Sequence, residues 1–145
     1  MYLRKLMVFA LLVLVVAAFG CGSKDTGAKQ LQGKWAFSMA DTMDKNPELK
    51  AMVEQTPQLK EMFDKFEKEF VIEITSDTLK MANPSATAAL EYKYTVKSDD
   101  GKTVVLQMKA NNSDRQDEAT FTIDGDKMTM SDSTTQGALS FARVK

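Results

Sequence analysis

The sequence predicts a mainly β domain, an antiparallel meander of about eight strands rolled into a small barrel, with a two-helix insertion between strands 1 and 2. Three observations predict it. From Phe70 to the C-terminus the hydrophobic period is two. Turn signals at Ser76-Asp77, Asp99-Asp100-Gly101-Lys102 and Asp124-Gly125-Asp126 cut that stretch into short segments. Each segment has one apolar and one polar face, and curling such a sheet encloses the apolar face while removing exposed edges.

The first strand runs over Lys34–Met39, where Trp35, Phe37 and Met39 alternate with Lys34, Ala36 and Ser38. The character then changes. Asn46-Pro47-Glu48-Leu49-Lys50-Ala51-Met52-Val53 is echoed by Thr56-Pro57-Gln58-Leu59-Lys60-Glu61-Met62-Phe63. Each copy pairs a good N-cap residue with proline at the first helical position, where its missing N–H costs nothing. Pro57 would break one long helix, so two short helices in series are expected. Leu49, Met52 and Val53 share a face of the first; Leu59, Met62, Phe63 and Phe66 share a face of the second at helical spacing.

The later strands follow by alternation. Phe70, Ile72 and Ile74 lead through a turn to Leu79 and Met81, and a loop holding Asn83-Pro84-Ser85 precedes Leu90, Tyr92, Tyr94 and Val96. Val104, Leu106 and Met108 follow, then Ala119, Phe121 and Ile123, then Met128 and Met130, and a last strand with Leu139 and Phe141. The helical insertion is free to close one mouth of the barrel.

The N-terminus reads separately. Arg4 and Lys5 precede an apolar run from Leu6 to Phe19, too short for the roughly 18 or more residues of a spanning helix. Residues 1–20 therefore have the pattern of an export signal. Ala18-Phe19-Gly20-Cys21 resembles a bacterial lipobox. That resemblance implies cleavage before Cys21, lipidation of its thiol and new amino group, and membrane attachment through acyl chains. An ordinary secretory signal followed by a free thiol is the alternative. Gly22 after the cysteine, where aspartate is absent, implies the periplasmic face of an outer membrane if the cell has one. Residues 21–30 are small and polar and read as a flexible tether, leaving 31–145 as the barrel domain.

Composition excludes several functions. Without residues 1–20 the chain keeps 125 of its 145 residues, enough for a single core, with 17 basic against 20 acidic side chains. The scattered lysines give no basic face for nucleic acid and no polybasic patch for anionic lipid. There is no histidine, and Cys21 is the only cysteine, so no disulfide staples the fold. Histidine-assisted nucleophilic catalysis and Cys/His zinc sites lose their residues, and an enzyme is not expected. The strand acids Glu73, Glu91, Glu118 and Asp124 fall on the outward face, which gives no carboxylate pair in a cleft. Eight methionines follow the signal. A thioether copper site is one reading of them; gap filling or adaptable packing around an apolar ligand explains their inward placement without a metal or other cofactor.

On the residues Leu31-Gln32-Gly33-Lys34-Trp35 the chain resembles the lipocalin and fatty-acid-binding group of barrels (the calycins), which open strand 1 with Gly-x-Trp. The group tends to place a basic residue over that tryptophan, and Arg143 on the last strand stands in that place, as a plug of one barrel end. A helix–turn–helix between strands 1 and 2 resembles the fatty-acid-binding layout, where it forms the ligand portal. Lipid-anchored bacterial lipocalin-like proteins are the nearest likeness as a whole. The resemblance implies a small apolar ligand held inside, with Met52, Leu59, Met62, Phe63, Phe66, Tyr92, Tyr94 and Met108 as candidate lining residues. The competing expectation is a structural, protein-interaction or inhibitor lipoprotein of the cell envelope with a filled core and an envelope protein as partner.

Overall fold

Inward-facing alternate side chains and unbroken antiparallel pairing close the sheet on itself. The computed structural model describes residues 26–82, 88–132 and 137–145. The lipobox, Cys21 and the export signal lie outside the described residues, as does the expected Asn83-Pro84-Ser85 loop. Eight strands are present: β1 (Gly33–Phe37), β2 (Val71–Ile74), β3 (Thr78–Ala82), β4 (Leu90–Asp99), β5 (Thr103–Ala110), β6 (Gln116–Asp124), β7 (Lys127–Asp132) and β8 (Leu139–Arg143). Each pairs with the next, and β1 pairs with both β2 and β8, so the barrel is closed. The closing registers set Trp35 against Ile72 on one side and Arg143 on the other. Closure leaves no edge strand to recruit another chain.

The core is the inner face of this barrel. Trp35, Ile72, Leu79, Val104, Leu106, Phe121 and Phe141 are all fully buried. Leu90 and Val96 depart from the expected alternation and are exposed. Leu90 opens β4, the longest strand, and Val96 stands beside the point where the register shifts between Val96 and Ser98, where a bulge breaks the strict period of two.

The helices differ from expectation in number and place. A short helix α1 (Gly27–Leu31) lies within the segment expected to be a tether, so order begins before Leu31. Its first two N–H groups find acceptors on Asp99, 72 and 71 residues away, which a local reading of small polar residues misses. Between β1 and β2 there are three helices: α2 (Met39–Lys45), α3 (Pro47–Gln55) and α4 (Pro57–Glu69). Met39 does not extend the first strand. It begins α2, because Ser38 accepts the N–H of Asp41 as an N-cap.

Pro47 and Pro57 occupy the first turns of α3 and α4 as expected, but Asn46 and Thr56 make no side-chain cap bond. The Asn46 amide instead donates to Thr42 O at 2.7 Å and Ala138 O at 3.0 Å, tying α2 to the start of β8. Thr42 is buried and accepts the backbone N–H of Ser140 at 2.9 Å, while Lys127 pairs with Asp41 at 2.7 Å. Helix α2 thus lies on the outer face of β7 and β8. It does not roof the barrel.

Candidate ligand cavity at the open end of the barrel

The two barrel ends differ in chemistry. At the end where β1 begins and the β4–β5 hairpin turns, the barrel is sealed. The Trp35 ring fills the interior there and its indole N–H donates to Leu31 O at 2.8 Å. The Arg143 guanidinium lies 4.2 Å from the centroid of that ring. It also donates to Gln32 O at 2.9 Å and Gln30 O at 2.5 Å, so it clamps the end of α1. Gly33 makes room for this. Its φ of 131° is a left-handed-side value that disfavours a side chain, and a Cβ there would stand 2.9 Å from Arg143 Nη1. The Gly-x-Trp pattern and Arg143 are therefore one packing unit.

At the opposite end the strands leave a cavity of about 320 Å³. Its apolar wall comes from Phe70, Met81 on β3, Tyr92 on β4, Met108 on β5, Ala119 on β6 and Met130 on β7. Leu139 closes the wall, and Arg115, Asp117, Glu118 and Asp132 form a charged rim. Arg115 donates through Nε to Asp117 at 2.8 Å, and Glu118 pairs with Lys97. The Tyr92 hydroxyl has no hydrogen-bond partner among the described residues.

Comparisons with protein-family models, curated proteins and solved structures find no match. The closed eight-stranded antiparallel barrel is compatible with a lipocalin-like fold.

Of the expected lining residues, Tyr92 and Met108 are brought together in this cavity. Tyr94 is buried too, but its hydroxyl donates to Thr75 O and bonds the β4 wall to the β2–β3 turn. Burial, with a contribution from the Asp77 charge, raises its pKa and keeps the phenol neutral. Phe66 stacks on Phe70 at 4.4 Å and meets Phe37 edge-on at 5.2 Å, so it backs the cavity wall without forming its surface. Leu59 and Phe63 are half-buried against the same cluster.

Met52 and Met62 are corrections: they are 56% and 55% exposed and do not face the interior. Periodicity groups them with Leu59 and Phe63. The arc of each helix that meets the core takes Val53 of α3 and Leu59, Phe63 and Phe66 of α4 and leaves Met52 and Met62 outside it. Met52 borders a larger, more open recess of about 660 Å³ outside the barrel, beside Lys45, Asn46, Glu48 and Leu49. The Asn46 amide in that recess is already engaged by two carbonyls. The barrel mouth is the better candidate, since strands enclose it and the Tyr92 hydroxyl on its wall has no hydrogen-bond partner among the described residues.

Phe70, Met81, Ala119, Met130 and Leu139 also line the mouth, beyond the lining set expected from the sequence. Alternation placed Met81 and Met130 on the inner face. It does not report height along the barrel axis, which strand stagger sets. No group of three or more His, Cys, Asp or Glu side chains among the described residues is placed to hold a metal ion. No helix among the described residues is long and apolar enough to cross a membrane.

Proposed function

We propose that the protein is a lipid-anchored lipoprotein of the cell envelope whose lipocalin-like barrel binds a small apolar ligand at its open end. The observation that carries the reading is the asymmetry of the barrel interior. One end is filled and clamped by Trp35 and Arg143, while the other keeps an apolar cavity whose Tyr92 hydroxyl has no hydrogen-bond partner among the described residues. The anchor rests on the Arg4-to-Cys21 pattern, with Cys21 acylated and residues 1–20 removed. The chain acts by holding, with no catalytic step: it has no histidine, and its cavity acids Asp117 and Glu118 are paired with Arg115 and Lys97.

Two measurements test this. Native mass spectrometry of the purified protein should show a co-purifying small molecule, or an apolar fluorophore should bind saturably. Absence of both ends the carrier reading. Cys21→Ser should move the protein from the membrane fraction to the soluble envelope fraction, and unchanged membrane association would remove the lipid anchor. The interaction-protein reading is favoured by one observation, the exposed Met52 and Met62 on α3 and α4. It would be preferred if the barrel proves empty and both residues become protected in an envelope complex.

A further inference from the structure

The cavity at the open end specifies more than apolarity. Its volume of about 320 Å³ is roughly twice that of the 150 Å³ cavity known to enclose one benzene. By that scaling an enclosed ligand has on the order of a dozen non-hydrogen atoms. The wall carries the thioethers of Met81, Met108 and Met130 and the rings of Phe70 and Tyr92. Thioether sulfur and ring edges both make favourable directional contacts with aromatic rings, contacts a saturated chain does not offer. The Tyr92 hydroxyl, without a partner among the described residues, supplies one hydrogen bond.

We infer that the cavity takes a compact ring compound, flat and bicyclic in size, with one hydroxyl or carbonyl oxygen directed at Tyr92, in preference to a long acyl chain. This rests on the carrier reading and narrows it to a ligand class. Chain carbons beyond the cavity's capacity would emerge past the charged rim of Arg115, Asp117 and Glu118 and remain in water. The preference is thus set by two independent features, the volume and the sulfur-and-ring wall.

The test is calorimetric titration of the full chain with 2-naphthol, with naphthalene and with saturated straight-chain carboxylates. The expected result is saturable one-to-one binding of 2-naphthol. Affinity for the carboxylates should rise about fourfold per carbon, the equivalent of about 0.8 kcal/mol per CH₂, and stop rising near about twelve carbons. Tyr92→Phe should weaken 2-naphthol by about twofold to tenfold, the range of one hydrogen bond, and leave naphthalene unchanged. Ala119→Leu, which fills the cavity from β6, should abolish both, with retention of fold checked by thermal melting.

If carboxylate affinity keeps climbing to about sixteen carbons while 2-naphthol gives no heat, the ring class is overturned and the carrier reading survives with a chain ligand. If neither series binds, the carrier reading itself falls, and the ring class with it. Equal weakening of naphthalene and 2-naphthol by Tyr92→Phe would remove the hydroxyl from ligand recognition.

Discussion

The Asp99 carboxylate accepts the N–H of Gly27 at 3.0 Å and that of Ala28 at 2.9 Å, across 72 and 71 residues of chain. The same carboxylate accepts the N–H of Gly101 at 2.8 Å within its own hairpin. One side chain thus shapes the β4–β5 turn and fastens α1 to it. Burial resists ionisation of this carboxyl, but the N–H bonds from Ala28, Gly101 and Gly27 outweigh it and hold the pKa below the ordinary 3.8. A lowered folded-state pKa means that the stabilisation is present above the unfolded value and is lost as pH falls through the folded one.

Acidification below about pH 4 should therefore release α1 from the hairpin. Amide exchange at Gly27 and Ala28 should accelerate in that range while β5 and β6 stay protected. Asp99→Asn should loosen the same two amides at neutral pH and remove the acid dependence. Unchanged protection of Gly27 and Ala28 in that variant would show that the carboxylate is not what fastens α1.

Gly27→Ala should be destabilising for a reason of space. A Cβ at that position would lie 2.6 Å from Val104 Cγ2 and 2.7 Å from Asp99 Oδ1. Val104 is fully buried, so its methyl has nowhere to move. The expected cost is about 1–3 kcal/mol, as for other overpacked sites. Urea unfolding measures it, and a variant as stable as the parent would mean that α1 adapts without loss.

Trp35→Ala should cost about 3–5 kcal/mol, the range for truncating a large buried ring. That is a large share of the stability of a domain without a disulfide. Arg143→Lys should cost less, about 1 kcal/mol or somewhat more, because one ammonium cannot reach Gln30 O, Gln32 O and the indole face together. A Trp35→Ala chain that melts cooperatively near the parent temperature would contradict the plug.

Phe66 and Met62 separate the anchoring role of α4 from a lid role. Phe66→Ala removes the stacked contact on Phe70 and the edge contact on Phe37. Phe66 is half-buried, so the loss should be about 1–3 kcal/mol, below that of a fully buried ring. Met52→Lys and Met62→Lys should change stability by no more than about 0.5 kcal/mol, being surface substitutions. Ligand binding should survive them. Loss of binding on Met62→Lys would restore α4 as a lid over the mouth.

Much of the architecture was legible because strand alternation is a local signal with a global consequence. Phe121 and Ile123 point inward because Thr122 and Asp124 point outward, and a one-residue slip would reverse all four. The hairpin at Asp99-Asp100-Gly101-Lys102 likewise announces itself by composition. Trp35 and Arg143 were paired through a resemblance. Their contact, with Gly33 clearing space for the guanidinium, has its own physical basis in the structure.

What was not legible depends on distance through the chain. Nothing near Gly27 signals a helix, since its N–H acceptor is 72 residues away. Met52 and Met62 carry the same periodic pattern as Leu59 and Phe63. Which of them is covered depends on where α2 docks, and that is decided by Thr42, Asn46 and Asp41 meeting Ser140, Ala138 and Lys127.

The sequence by itself determined the strand count and most of the inward set of side chains, because hydrophobic burial imposes a period of two on every strand. Only the tertiary structure decided that Met81, Tyr92, Met108 and Met130 share one cavity at the open end and that α2 docks on the outer face of β8. Strand stagger around a closed barrel sets the height of each residue, and stagger is a property of all eight strands together.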